Sequence, residues 1–558
     1  MVTRVFNLLY REVRGLHQAA YVVALFTLAS QILAVVRDRI LAHQFGAGFE
    51  LDWYYTAFRI PDLLFVLFAS VLSVYVLLPF VTKAEAAAAL TGRVVLSQFF
   101  TLFLLIYSTV AFIVMLTVPY FLPTLFPGYD TEAYSTIVLM TQILLLQPFL
   151  LGLSSLCGVV TQLQHRFVIY ALSPLLYNIG IIIGAAFLFP VFGLVGLVAG
   201  VIIGALGHLL VQWPLVRGSS YSFGLVRHID WSLIRSVCKV ALPRALTLSL
   251  GQIQFVVFVM IASTMTVGSV AVLQLAFNLQ SVPLAIIGMS YSVAAFPLLA
   301  ELLAKGEQKK FTSYVFIALR HIIFWSLPIM ALVVVLRAQI VRVLLGSGAF
   351  NWDDTRLTAA VLALFVVSLV GQAILLLLVR AFYAGGKTLV PLIVTGVGVV
   401  VGVVTAYLLA QSFAAESVMT MAMLDILRLA GVEGGEVLAL PIGFIVGVLV
   451  ELVIMLTLFT YQFSFPIGRL IRVCWQASLA SMVGAVIAYL SLIFVVEGVN
   501  QERFLGIFIQ GGVAGLCGLL GVVATYYLVR SDELHELVRS FKTRVLRTDV
   551  VAPQPDIL

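Results

Sequence analysis

Residues 57–86 read AFRIPDLLFVLFASVLSVYVLLPFVTKAEA, and residues 276–307 read AFNLQSVPLAIIGMSYSVAAFPLLAELLAKGE. Each is an apolar run long enough to cross a bilayer as a helix. Each opens on Ala-Phe, reaches a Ser-Val pair, passes a proline and closes in a short charged turn. The two lie about 219 residues apart. Ala-Phe alone is a weak match, but the whole ordered series marks an internal duplication.

Similar runs recur outward from this pair in both directions. Of the 558 residues, 62% are hydrophobic and 10% charged, against about a quarter charged in soluble domains. Hydropathy predicts spans at 17–41, 52–81, 94–117, 134–160, 167–189, 192–213, 236–263, 269–303, 311–336, 357–383, 388–411, 438–460, 469–495 and 504–529. The runs are too long and too uniformly apolar for a transmembrane barrel, whose strands alternate. The repeat offset holds an even number of spans, so the two halves share one orientation and form parallel repeats. The fold class expected is an all-α polytopic membrane protein. It has fourteen transmembrane helices, in two six-helix lobes related as parallel repeats plus a C-terminal helix pair. The divisions expected are an N-terminal lobe 1–213, a linker 214–235, a C-terminal lobe 236–460, a helix pair 461–529 and a basic tail 530–558.

The net charge of +7 has a topological cause. With fourteen spans, most of the 32 Lys and Arg fall on the side of the two termini, which the positive-inside rule makes cytoplasmic. No nucleic-acid partner is implied. Cys157, Cys238, Cys474 and Cys517 show no CxxC spacing, so neither a disulfide framework nor a zinc site is expected. The N-terminal apolar stretch is too long for a signal peptide and ends in Arg-Asp-Arg, so it reads as a retained first span. Two segments are predicted to lie on the membrane: residues 416–430, and the C-terminal DELHELVRSFKTRVLR, with Leu534, Leu537, Val538, Phe541 and Val545 on one face. For the latter a solvated tail helix is the competing reading.

Charges near the first two spans need a reason, because a charge in hydrocarbon costs from about 2.5 kcal/mol upward. Arg37 and Arg39 are two steps of about 100° apart on a helix and cannot share a face. Arg37 shares one with Leu33, Ala34 and Leu41, while Arg39 is expected to snorkel to the outer headgroups. Asp38 neutralises a neighbour locally. Asp52 and Arg59 stand two turns apart on one face, with Pro61 bending the helix just beyond. Two readings stay open. These charges close an outer loop, with Asp52 and Arg59 paired inside, or they line a cationic cavity for an anionic headgroup, arginine being suited to phosphate oxygens. Gln31, Gln252, Gln254, Asn278, Gln372 and Asn178 either line that cavity or bond neighbouring helices. No Walker loop, nucleophile elbow or metal-ligand spacing occurs, and no enzyme, metal or cofactor is expected.

Three stretches carry a family likeness: SQILAVVRDRILAHQFGAGFELDWYYTAFRIPDLL at 30–64, TQLQHRFVIYALSPLLYNIGII at 161–182, and the run from LLGSGAFNWDD to FYAGGKTLVP at 344–391. With these the sequence resembles the MurJ (MviN) family of lipid II flippases in the MOP transporter superfamily. The resemblance implies two lobes and a C-terminal pair forming a lipid groove. It implies a flippase for a polyprenyl-diphosphate cell-wall precursor, lipid II or similar, working by alternating access in the bacterial cytoplasmic membrane among membrane lipids. Arg37 and Asp38 match the family's Arg-Asp pair, Asp52 its second-span aspartate, and Arg59 a basic position. Gln31 and Asn278 stand where the family carries arginines, and Phe65 and Val66 replace an arginine pair. The candidate substrate-binding set is therefore Arg37, Arg59, Asp52, Asp38, Gln31 and Asn278. Alternatives are an exporter of another lipid-linked glycan or a drug, and a non-transporting scaffold that anchors cell-wall synthesis enzymes.

Overall fold

The computed structural model describes residues 16–86, 91–414, 418–496 and 504–545. The basic residues before residue 16, the start of the 416–430 segment and the tail beyond residue 545 lie outside the described residues. Within them every element is a helix. Eleven helices are long and apolar enough to cross a membrane, or twelve when Trp352–Val367 and Leu369–Ala384, meeting at 43°, count as one bent span. Length and apolarity among the described residues thus fall short of the expected fourteen.

One of the eleven, Phe167–Arg217, runs for 51 residues. A straight helix of that length would extend about 76 Å, more than twice the hydrocarbon core. Instead it folds back. Gly193, at φ 59° and ψ −146°, breaks the helical path. Gly180 then faces Gly204, Gly184 faces Gly200, and Gly196 faces the Leu188 carbonyl. That register is an antiparallel hairpin turning at about residue 192. Small residues on the facing surfaces let the two backbones touch, which is how helices associate where water supplies no hydrophobic drive.

The second span is broken. Its helices Phe49–Ala57 and Arg59–Val71 meet at Phe58. Pro61 has no N–H to give the Ala57 carbonyl, and the Thr141 hydroxyl approaches that carbonyl at 3.3 Å instead. A second break at Leu72-Ser73 precedes Val74–Ala86.

The chain divides into two compact units. The first holds residues 1–279, 344–361 and 388–447, and the second holds 280–343, 362–387 and 448–558. In the first, Leu77, Val81, Leu96, Phe103, Tyr107, Leu156 and Val237 form a buried core. In the second, Phe311, Phe382, Phe459 and Phe463 make an aromatic cluster with ring centroids 4.9 to 6.1 Å apart. The helices Leu470–Val496 and Phe504–Leu528 form another glycine-faced hairpin there, Gly484 against Val522 and the Gly518 carbonyl.

The C-terminal helix Asp532–Val545 belongs to the second unit. Leu537 and Val538 are exposed on it, while Glu533 is buried and accepts from Arg320 Nε at 2.6 Å. Ser531 Oγ donates to the other Glu533 oxygen at 2.6 Å.

A cavity with a linked pair of arginines

The first unit contains a cavity of about 1080 Å³. Its walls come from residues 23–212, from residues 248–278 and from Phe444. Arg37, Arg59, Gln31 and Asn278 all line it.

The Leu16–Phe45 helix carries Arg37. Its Nε and Nη2 donate to Asp38 Oδ1 at 2.9 and 2.8 Å, and its Nη1 donates to Asn178 Oδ1 at 3.0 Å. Asn178 is placed by the hairpin and donates in turn to Ser30 Oγ at 3.3 Å. Asp38 is buried, and its second oxygen accepts from Asn278 Nδ2 at 3.0 Å. Asn278 Oδ1 accepts from Gln274 Nε2 at 2.6 Å. Gln274 Oε1 accepts from Arg59 Nη2, and Arg59 Nε donates to the Tyr55 carbonyl at 3.1 Å. The Arg59 guanidinium also lies 5.9 Å from the Phe255 ring centre, a cation–π distance. One continuous polar chain therefore links Asn178, Arg37, Asp38, Asn278, Gln274 and Arg59.

Each arginine has a carboxylate near it, Asp38 beside Arg37 and Asp62 one turn beyond Arg59. Arg37 is neutralised at close range by Asp38. The groups that Arg37 Nη1 and Arg59 Nη2 touch on the cavity side are neutral amide oxygens. An amide oxygen is a weaker acceptor for guanidinium than an anionic oxygen, so these two contacts are the ones a ligand anion can replace. Asp62, one turn beyond Arg59, also lines the cavity.

Asp52 sits elsewhere. Its two oxygens accept from the Gly268 and Ala271 amides, each at 2.7 Å. It thus caps the N-terminus of the Ser269–Leu284 helix, where a carboxylate is favoured by the helix dipole. The internal pair of Asp52 with Arg59, one of the two open readings, does not form: the Gly268 and Ala271 amides take both Asp52 oxygens, and Arg59 bonds Gln274 and the Tyr55 carbonyl instead. Arg39 Nη1 reaches the Leu344 carbonyl at 3.5 Å, a long contact, and does not line the cavity. Sequence reasoning missed Gln274, Asp62, Gln147, Tyr177 and His208, all on the cavity wall. No cluster of potential metal ligands occurs among the described residues.

Beyond Leu41 the cavity ends and backbones close together. A Cβ added to Gly348 would fall 2.3 Å from the His43 carbonyl oxygen, and one on Gly268 would fall 2.0 Å from that of Ala47. Both glycines have positive φ, +60° and +94°. The Ala349 amide donates to the His43 carbonyl at 2.9 Å. The Phe-Gly-Ala-Gly and Gly-Ser-Gly-Ala-Phe stretches are thus pressed against each other.

Comparison with known proteins identifies this architecture. The family model described as lipid II flippase MurJ matches residues 41–508. The chain belongs to the MurJ family. A probable lipid II flippase MurJ from Rhizobium tropici is 28% identical over 399 residues, covering 69% of this chain and 73% of the relative. One from Thermotoga maritima is 28% identical over 408 residues, covering 70% and 79%. Among solved structures, a lipid II flippase MurJ in an inward closed conformation superposes with a TM-score of 0.69 at 22% identity, over 93% of this chain and 99% of that one. An inward-facing multidrug MATE transporter of the MOP superfamily gives 0.64 at 15% identity, over 78% and 94%. Both superpositions show a fold shared with this chain.

Proposed function

We propose that this chain translocates a polyprenyl-diphosphate glycolipid of the lipid II type across the bacterial cytoplasmic membrane, as a transporter and not an enzyme. The observation that carries the reading is the polar chain from Asn178 to Arg59 on the cavity wall. Two guanidiniums within membrane-spanning segments are costly to retain, and here both meet a cavity large enough for a headgroup. The diphosphate takes the places of the Asn178 and Gln274 oxygens on Arg37 and Arg59. Asp38 holds Arg37 in place and Asn278 ties the two halves of the network together. The lipid tail stays in the bilayer.

The mechanism is alternating access between two parallel six-helix lobes, 1–213 and 236–460, with fourteen crossings in all. The Phe167–Arg217 hairpin supplies two of those crossings and the Leu16–Phe45 helix one. Both termini are cytoplasmic by the distribution of Lys and Arg. The glycine contacts around Gly268 and Gly348 then close the outer end and leave the cavity to the cytoplasm. The inside-negative potential favours outward movement of the anionic headgroup, by about 2.3 kcal/mol per charge per 100 mV.

The test is complementation of a bacterium depleted of its own lipid II flippase. The wild-type chain restores growth and Arg37→Glu, made to the same level, does not. Failure of the wild-type chain to restore growth contradicts the proposal. Rescue by Arg37→Glu contradicts the role of Arg37 in the cavity.

A further inference from the structure

The cavity that carries the two arginines also carries an acid with no part in the proposed function. Among the described residues that line it, Asp62 is the one carboxylate. It stands three residues after Arg59 on the Arg59–Val71 helix, a spacing that puts both on one face. Asp38, by contrast, is spent on Arg37 at 2.8 Å. Asp62 is half-buried and takes a hydrogen bond from a neutral group, the Gln147 amide, whose Nε2 also donates to the Tyr177 hydroxyl at 3.0 Å. The charged and titratable groups facing Asp62 are Arg59 on its own helix, Arg37 on Leu16–Phe45, Tyr54 on Phe49–Ala57 and Tyr177 on the hairpin. His208, its Nδ1 2.7 Å from the Ser154 hydroxyl, lines the same cavity and belongs to the residue type that titrates near neutral pH.

Charge decides what Asp62 does when the cavity fills. Arg37 and Arg59 set against Asp38 and Asp62 leave the arginine wall without net charge. A diphosphate esterified at both ends keeps a negative charge on each phosphorus throughout the neutral range. In the place of the Gln274 oxygen on Arg59, that charge comes within about one helical turn of Asp62, roughly 5–6 Å. Two anions that close, between membrane helices, do not both stay ionised, and the more basic one takes up a proton. Between a doubly esterified diphosphate and a carboxylate, the more basic is the carboxylate. Once protonated it is a donor, so one step replaces a repulsion with a hydrogen bond to a phosphate oxygen. We propose that Asp62 is a proton site coupled to headgroup binding: one proton passes from water to an Asp62 oxygen as the diphosphate settles on Arg59. The bound complex then carries one negative charge fewer than the headgroup alone. A divalent cation bridging Asp62 and the diphosphate is the competing chemistry, and two guanidiniums nearby repel it. The proposal rests on the reading that the cavity takes a polyprenyl-diphosphate glycolipid, and adds a proton to what binds there.

The experiment is calorimetric titration of the full-length protein in lipid nanodiscs. The probe is a short-chain polyprenyl diphosphate bearing one N-acetylated sugar, which does not itself titrate between mildly acid and mildly alkaline pH. Wild-type affinity is expected to fall as pH rises, by up to about tenfold per pH unit, the limit for one linked proton. At mildly alkaline pH, buffers of different ionisation heat are expected to report uptake of about one proton per probe bound. Asp62→Asn is expected to bind in alkali as tightly as wild type does in acid, with no slope and no proton uptake. His208→Gln keeps both, and where Asp62→Asn fails to fold, that retention carries the assignment. A wild-type affinity independent of pH, without proton uptake, overturns the proton site. So does a slope that survives Asp62→Asn and vanishes in His208→Gln, which assigns the proton to His208. Binding that requires magnesium ion and takes up no proton also overturns it, in favour of a metal bridge. Each of these leaves the proposed function standing. A wild-type protein that binds the probe at no pH overturns the proposed function itself.

Discussion

At the scale of single residues, the Arg37–Asp38 pair is the point on which the cavity is built. Asp38 is 3% exposed and meets Arg37 through two guanidinium nitrogens. Removing one partner of a buried pair leaves the other charge uncompensated and costs about 3 kcal/mol. Asp38→Asn is expected to lower the thermal-unfolding midpoint of the purified protein by several degrees, whereas Asn278→Ala, which removes a neutral bond, lowers it much less. Equal midpoints for Asp38→Asn and wild type contradict the pairing. The candidates Arg37, Arg59, Gln31 and Asn278 were legible because polar side chains are rare in apolar runs. Their connection was not, because Asp38 and Asn278 are 240 positions apart and no local spacing encodes that contact. Asp62 was missed although it stands three residues after Arg59, a spacing that places both on one helix face.

At the scale of elements, hydropathy located the spans, and glycine spacing decides how they pack. Gly200 faces Gly184 so closely that a Cβ would fall 2.3 Å from its Cα. Gly200→Leu is expected to push the hairpin apart and sharply reduce the yield of folded protein. Gly193→Ala has open space around it and costs only the backbone strain of its positive φ, about 1–3 kcal/mol. Comparable yields of the two variants contradict the close-packed hairpin. Asp52 shows what the sequence left hidden. Its spacing to Arg59 was visible, but its partners are backbone amides 216 and 219 positions away, and no local spacing encodes those contacts. Placement of the C-terminal helix was equally tertiary. Burial alone would raise the Glu533 pKa, but bonds from Ser531 and Arg320 outweigh it and hold that carboxylate below its ordinary value. Its contribution to docking is therefore complete above the unfolded carboxylate pKa of about 4.3, and is lost as pH falls through the depressed folded value. Hydrogen exchange along residues 532–545 is expected to stay slow from neutral pH down to that range and then accelerate. Arg320→Ala shifts the acceleration to higher pH, and an unshifted profile contradicts the ion pair.

At the scale of the whole molecule, the cavity of the first unit ends where the stretches around Gly46, Gly268 and Gly348 meet. The MurJ-family fold was legible from the apolar spans and three motif stretches. The closed end was not, because glycine–carbonyl contacts such as Gly348 with His43 appear only when distant loops meet. Gly348→Val is expected to hold that end apart. With that end outside, as proposed, a cysteine introduced as Leu41→Cys, at a position 1% exposed in the wild type, then becomes accessible to a membrane-impermeant thiol reagent applied from outside the cell. The same label rate with and without Gly348→Val contradicts the seal.

The central claim is that Arg37 and Arg59 carry a diphosphate headgroup through this cavity. Its most direct test is flipping of a fluorescent polyprenyl-diphosphate glycolipid in proteoliposomes with an imposed potential. The wild-type protein is predicted to move the lipid between leaflets, and Arg37→Glu and Arg59→Glu, reconstituted in equal amounts, are predicted to leave only the rate of protein-free vesicles. Wild-type rates in both variants would contradict the account.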